Sequence, residues 1–136
     1  MAVPSRAGRD DAAVRGRFQE IAHRSAGQVI EAIEELGSTG LVPKTSVECR
    51  VVNLPMMFKL YLLNDEEVFF GFYPVVEREV PIDGKDMPIF DAVGKDTVLF
   101  HHSVSDDDRA TGSQYVDQAR LWFNSLWGTI SRTHNP

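Results

Sequence analysis

The stretch "MMFKLYLLNDEEVFFGFYP", residues 56–74, constrains the fold of this chain more than any other segment. Two apolar runs flank Asn64, in an Asn-Asp pair that favours a tight turn, so the stretch predicts a β-hairpin over 57–73. Both faces of its first strand are apolar, as in a strand that is covered on both sides. Lys59 interrupts this pattern, and a lysine there must reach solvent, pair with a neighbour or face a cavity.

Helical periodicity flanks this hairpin on both sides. Apolar residues recur at helical spacing over 10–36 and again from Ser113 onwards, which predicts one helix at each end of the chain. Between the helices, alternation and turn residues predict strands at 46–52 and 97–103 and a second hairpin that pairs 77–81 with 87–91. The fold class predicted is α/β, with α+β possible: a mixed sheet of about five strands with a long N-terminal helix and a C-terminal helix packed on it.

Length and composition are those of one globular domain. The chain has 136 residues, of which 43% are hydrophobic and 25% charged, so it is long enough to bury a core. We expect a flexible leader over 1–9, a single domain over 10–133 and a short tail over 134–136.

Charge and cysteine content exclude several classes of protein. The net charge of −6 argues against direct binding of nucleic acid. Cys49 is the single cysteine, so there is no disulfide framework and no cysteine-based zinc site. The sequence has neither a signal peptide nor an apolar run long enough to span a bilayer, which favours a cytoplasmic protein with no membrane partner. No nucleotide-binding or hydrolase motif is present, and we expect no cofactor.

The hairpin also carries a known pattern. In "MFKLYLLN" the residues Met57, Lys59 and Asn64 fall on the frame of the His-x-Lys-x-x-x-x-Asp motif of the phospholipase D superfamily, and Gly71 in "VFFGFYP" falls on the glycine of the strand that follows. The chain therefore resembles a phospholipase D-like half-domain. In that family the histidine is the nucleophile that forms a phosphoenzyme, and the lysine binds phosphate oxygens.

The departures from the motif imply a site that has lost its catalytic groups. Met57 stands in the place of the histidine, and a thioether cannot form a phosphohistidine-type adduct. Asn64 replaces the aspartate, and Phe72 replaces the serine after the glycine. The resemblance thus implies a degenerate, non-hydrolytic domain that keeps only the cation, Lys59, and has no catalytic residue.

A second resemblance concerns the kind of protein. The segments "KLYLLNDEEVFFGFYPVVERE", "PIFD", "LFHHS" and "WFNSLW" are similar to C-terminal domains of bacterial helix-turn-helix regulators of the GntR type. In such regulators this domain serves as an effector or oligomerisation module. The resemblance implies a homodimer that meets nucleic acid only through a DNA-binding domain absent from this chain.

Candidate binding residues follow from these two resemblances and from the strand pattern. If a small anionic, phosphorylated ligand binds, Lys59 is the expected cation, with Asn64, Tyr73 and His101 as the polar rim. The alternative for Lys59 is a structural lysine paired with Glu48 or Glu77, and both interpretations stay open because buried lysines are rare without a partner. No metal site is predicted, since the neighbours His101 and His102 point to opposite faces of a strand.

Three functional hypotheses remain open at this stage. The leading one is a non-catalytic ligand-sensing or oligomerisation domain of a bacterial transcriptional regulator. The second is a homodimeric phosphodiesterase that uses another nucleophile, such as His101, which requires His101 and Lys59 on one face of adjacent strands. The third is a purely structural dimerisation module. The aromatic residues Trp122, Phe123 and Trp127 are interpreted as core and interface.

Overall fold

The computed structural model describes residues 11–136, and the predicted leader over 1–9 lies outside them. The described residues form two helices, α1 (Ala12–Ser38) and α2 (Thr111–Gly128). Between and after the helices lie seven strands: β1 (Arg50–Val51), β2 (Phe58–Leu63), β3 (Glu67–Phe72), β4 (Val75–Ile82), β5 (Lys85–Ala92), β6 (Phe100–Ser103) and β7 (Arg132–Thr133).

The fold is α+β, the alternative to α/β that the sequence left open, and the predicted N-terminal and C-terminal helices pack on strands that pair antiparallel. The strands do not join into one mixed sheet, however: they form a three-stranded sheet in the order β2-β3-β6 and two separate pairs, β4-β5 and β1-β7. Pro74 separates β3 from β4 and has no N–H to donate to a neighbouring strand. Alternation within a strand does not encode which strand it pairs with, so this division was not visible in the sequence.

The predicted hairpin is formed by β2 and β3, with Phe58 opposite Phe72 and Leu63 opposite Glu67. Its turn places Asn64 and Asp65 in the left-handed region, at φ 52° and 60°, and the Glu66 N–H donates to the Leu63 carbonyl oxygen at 2.9 Å. Asn and Asp are the non-glycine residues that adopt this conformation most readily.

Two small apolar clusters make up the core. In one, α2 packs on the hairpin sheet through Val68, Val116 and Ala119, with Leu60, Leu62 and Tyr115 at its edge. In the other, the first turns of α1 pack on the β4-β5 pair through Val14, Val80, Ile82 and Ile89, with Ala13, Phe18 and Met87 around them.

The two faces of β2 differ, which corrects the prediction that both would be covered. Phe58, Leu60 and Leu62 point toward α2, because alternate residues of a strand share a face, whereas Tyr61 and Leu63 on the other face are exposed. The apolar residues on the second face led to this wrong prediction. The sequence of a strand gives the hydrophobicity of each face but does not show which neighbouring element covers that face.

The residues after α2 return to the start of the strand region. β7 pairs with β1 in antiparallel register, and the His134 N–H donates to the Cys49 carbonyl oxygen at 2.9 Å. The His134 ring meets the His23 ring edge-on, with 5.5 Å between centroids. The end of the chain is therefore tied both to β1 and to the side of α1.

Candidate functional site

Lys59 is held by groups of its own chain. Its Nζ donates to the Gly94 carbonyl oxygen at 3.2 Å and lies 5.7 Å from the centroid of the Tyr73 ring. The Tyr73 ring in turn packs against Gly94 so closely that a Cβ at position 94 would come within 2.5 Å of it. Lys59 and Tyr73, both predicted at the ligand site, thus lie side by side, and a backbone carbonyl occupies one of the three lysine donors.

A loop crosses the Lys59 face at this point. Lys59 is directly opposite Gly71 on β3, and a Cβ on Gly71 would lie 2.2 Å from the Thr97 side chain and 2.8 Å from the Val98 carbonyl oxygen. The Thr97 hydroxyl donates to the Phe72 carbonyl oxygen at 3.2 Å. Gly71, the glycine of the resemblance, is therefore required here by the close approach of backbone.

The other two predicted rim residues lie elsewhere. Asn64 is exposed at the tip of the hairpin, five residues along the strand from Lys59. His101 shares the face of Lys59 but stands on β6, on the far side of β3. Its Nε2 lies 2.9 Å from a carboxylate oxygen of Glu67, and its ring stacks on Phe69 with 4.5 Å between centroids.

This arrangement does not supply what a His101 nucleophile needs. The phosphodiesterase hypothesis requires His101 and Lys59 on adjacent strands, and β3 lies between them. Met57 stands at the place of the family's histidine. Its backbone carbonyl oxygen accepts a hydrogen bond from the Tyr73 N–H at 2.9 Å, and its thioether side chain carries no proton for transfer.

A cavity lies on the opposite face of the sheet, between β2 and the C-terminal half of α2. We call it the α2–β2 groove. It has a volume of about 570 Å³, within the range of roughly 300–1,000 Å³ that small-molecule sites occupy. Its wall is mostly aromatic and aliphatic: Val52, Phe58, Leu60, Leu62, Trp122, Phe123, Leu126 and Trp127.

A second, smaller cavity continues the groove toward the start of α2. It has about 250 Å³ and shares Phe58, Leu60 and Trp122 with the first. Phe58 joins the two walls, since its ring lies 5.3 Å from Trp122 and 5.1 Å from Phe70 between centroids. The two cavities form a continuous apolar surface along β2, which is an edge strand of its sheet.

Two arginines lie at the groove. Arg50 stacks on Trp127 with its guanidinium carbon 4.4 Å from the ring centroid. It donates from Nη1 to the Trp127 carbonyl oxygen at 2.8 Å and from Nε to Glu48 at 2.9 Å. Glu48, a predicted partner of Lys59, thus pairs with Arg50. Guanidinium has five N–H donors, so Arg50 keeps donors that can meet a ligand.

The second arginine fixes the hairpin turn to the helix. Arg120 on α2 forms an ion pair with Asp65, one of the two left-handed residues of the turn. Both residues line the groove, together with Asn124 and Ser131. The lining thus carries two guanidinium groups and one carboxylate on an otherwise apolar wall, a composition that suits an apolar molecule bearing an acidic group.

Tyr115 lies at the smaller cavity and stacks on His102, with 4.1 Å between ring centroids. Burial raises the pKa of the Tyr115 phenol above its usual value of 10.0, because the phenolate loses hydration there. This phenol therefore stays protonated and can donate or accept a hydrogen bond.

The sequence predicts a site on the Lys59 face and favours a core and interface role for Trp122, Phe123 and Trp127. The signal for the groove was nevertheless present: Phe58, Leu60 and Leu62 on one strand face, and aromatic residues grouped near the end of α2. Only the packing of α2 showed that these two sets line one cavity without filling it.

Comparison with known proteins identifies no relative: no protein-family model, no curated protein and no solved structure matches this chain. Within residues 11–136 no group of three or more His, Cys, Asp or Glu side chains is placed to hold a metal ion. Neither helix of that part of the chain is long and apolar enough to cross a membrane.

Proposed function

We propose that this chain is a non-catalytic ligand-binding domain, and that its ligand is a small apolar or aromatic molecule with an acidic group. The observation that carries the proposal is the α2–β2 groove, in which tryptophan, phenylalanine and leucine side chains surround about 570 Å³ of space beside two arginines. Apolar pockets with a few converging polar groups are the usual form of a small-molecule site.

The chemistry of the groove selects this ligand class. Trp122 lines both cavities, and aromatic side chains favour stacking with aromatic groups at centroid distances of about 4.5–7 Å. Arg50 offers unused N–H donors beside the Trp127 ring, and a guanidinium pairs well with the two oxygens of a carboxylate or sulfonate. The groove contains no paired general acid and nucleophile, so binding is the chemistry that it supports.

The proposed role in the cell rests on the resemblance to C-terminal domains of bacterial helix-turn-helix regulators. As an effector module of a cytoplasmic bacterial transcriptional regulator, the domain would bind its ligand and transmit the bound state to a DNA-binding domain elsewhere in the regulator. A phosphorylated ligand at Lys59 is the competing proposal, and it predicts binding on the other face of the sheet.

Intrinsic fluorescence gives a direct test. The chain has two tryptophans, and both line the groove. Titration with anilinonaphthalene sulfonate, an aromatic anion, should therefore quench tryptophan fluorescence with one saturable affinity. Phe123→Ala should raise the dissociation constant by about tenfold, which corresponds to loss of about 1.4 kcal/mol of binding free energy.

Phe100→Ala is the matched control. Phe100 is 52% exposed and Phe123 is 42% exposed, but Phe100 lies on β6 and does not line the groove. The control should bind the dye with unchanged affinity. Equal weakening by both substitutions, or titration without quenching, would show that the dye binds elsewhere and would refute the groove as the site.

A further inference from the structure

The backbone of β2 uses only half of its hydrogen-bonding groups in the hairpin. The Tyr73 N–H donates to the Met57 carbonyl oxygen at 2.9 Å, so these two residues form a hydrogen-bonded pair directly before β2. Hydrogen-bonded and non-hydrogen-bonded pairs alternate along an antiparallel ladder, and the register of β2 with β3 is continuous along the whole strand. The N–H and C=O groups of every second residue therefore point away from β3, and these residues are Phe58, Leu60 and Leu62.

The two outer edges of this sheet differ. On the β6 side, the Val104 N–H donates to the Glu66 carbonyl oxygen at 2.9 Å, and a Cβ on Gly112 would lie 2.3 Å from the Ser103 carbonyl oxygen, so the start of α2 covers the end of β6. On the β2 side, within residues 11–136, no strand pairs with the outer edge and no loop backbone bonds to it. β2 thus presents a row of free N–H and C=O groups, the form of edge to which a further strand can add.

Helix α2 extends past this free edge. Its successive contacts are Tyr115 with His102 of β6, Val116 and Ala119 in one cluster with Val68 of β3, Trp122 with Phe58 of β2, and Trp127 with Arg50 of β1. The helix therefore crosses β6, β3, β2 and β1 in that order, although β1 does not pair with β2. The α2–β2 groove lies between these two strands, since Arg50 and Val52 line it together with the residues of β2.

We infer that the groove binds an extended peptide segment of another protein, which adds to β2 as a fourth strand of the sheet. The inference rests on the proposed function, because it identifies the apolar, acidic molecule of the groove as a peptide. The free backbone groups of β2 supply main-chain hydrogen bonds, and every second side chain of the peptide points toward α2, where Trp122, Phe123 and Leu126 line the groove.

The side chains around the groove define the peptide further. Apolar residues at alternate positions suit the aromatic wall, whereas the positions between them lie on the face where Tyr61 and Leu63 are exposed and can be polar. Arg50 lies across the groove from β2 and keeps N–H donors beyond its bonds to Glu48 and Trp127. A glutamate among the residues that point toward α2 therefore complements the guanidinium.

Displacement of anilinonaphthalene sulfonate from the full chain tests the inference. The probe is a panel of acetylated and C-terminally amidated heptapeptides in which apolar residues alternate with threonine and one apolar residue is replaced by glutamate. We expect members of the panel to displace the dye with a saturable affinity. N-methylation of the alternate peptide amides that face β2 should weaken binding at least about tenfold, because these amides can no longer donate. The matched control carries the methyl groups on the intervening amides and should weaken less.

Amide hydrogen exchange, followed residue by residue by NMR, gives a second readout on the chain itself. A saturating peptide should slow exchange of the Leu60 and Leu62 amides at least about tenfold, whereas the Lys59 and Tyr61 amides, already bonded to β3, should change less.

The outcomes separate this inference from the proposed function. Dye binding that no peptide of the panel reverses would overturn strand addition and leave the groove as a small-molecule site, whereas a chain that binds neither dye nor peptide would overturn both. Displacement of the dye without slower exchange at Leu60 and Leu62 would also overturn strand addition, since the peptide would then bind through its side chains alone.

Discussion

Arg50 lies against Trp127, with its guanidinium carbon 4.4 Å from the ring centroid, and the same guanidinium donates to the Trp127 backbone carbonyl at 2.8 Å. One side chain thereby joins β1 to the last turn of α2, and it also lines the groove. The carbonyls at a helix C-terminus carry partial negative charge, so the cation also stabilises the helix end.

Removal of Arg50 should therefore affect stability and binding together. Arg50→Ala should lower the free energy of unfolding by about 1–2 kcal/mol, since it removes a charge-assisted hydrogen bond and a cation–π contact. It should also weaken binding of the dye. Arg50→Lys keeps the charge without the planar guanidinium and should recover only part of each effect. Denaturant titration and fluorescence measure the two quantities, and an unchanged Arg50→Ala would contradict the role of the contact.

Lys59 should behave as a structural residue. Lys59→Met removes the hydrogen bond to the Gly94 carbonyl oxygen, and we expect a loss of about 1 kcal/mol in the free energy of unfolding. Binding of the dye should be unchanged, because the groove lies on the other face of the sheet. Thermal shifts with phosphorylated metabolites, compared between wild type and Lys59→Met, provide the counter-test. A shift that only the wild type shows would place a ligand at Lys59, as the phospholipase D resemblance implies.

Two glycines offer a matched pair of substitutions with opposite expected signs. Gly71→Ala would place a Cβ 2.8 Å from the Val98 carbonyl oxygen, so the loop must shift, and the free energy of unfolding should fall by about 1–3 kcal/mol. Gly16 lies within α1, and a Cβ there has nothing within 4 Å. Gly16→Ala should therefore raise the free energy of unfolding by about 0.5–1 kcal/mol. Equal effects of the two substitutions would show that the loop does not cross β3 closely.

The free energy of unfolding should decline at alkaline pH, and ionisation of the Tyr115 phenol should account for part of this decline. Its pKa is raised above 10.0 in the folded state by burial, so between the unfolded and folded pKa values the native chain binds more protons than the unfolded chain. The free energy of unfolding must then fall as pH rises above about 10, while below that pH the contribution is fully present. Tyr115→Phe should show a shallower decline in denaturant titrations at pH values across this range. An unchanged slope would mean that this phenol does not titrate differently in the two states.

The local elements were largely predictable because they follow from short-range patterns. The long helix that includes Val29 and the hairpin around Asn64 both follow from periodicity and turn preference. Alternation likewise predicted the second hairpin, which the structure extends to Val75–Ile82 and Lys85–Ala92. These features depend on residues a few positions apart, so the sequence alone determined them.

The partners of these elements were decided only by tertiary structure. Lys59 could have paired with Glu48, but Glu48 pairs with Arg50 and Lys59 meets the carbonyl of Gly94, 35 residues away. The sequence does not distinguish the two apolar faces of β2, and only the tertiary structure shows that α2 covers one of them. The groove exists because rings on α2 and side chains on β2 pack beside each other without filling the space between. Such long-range packing depends on residues far apart in the chain, and no local periodicity records it.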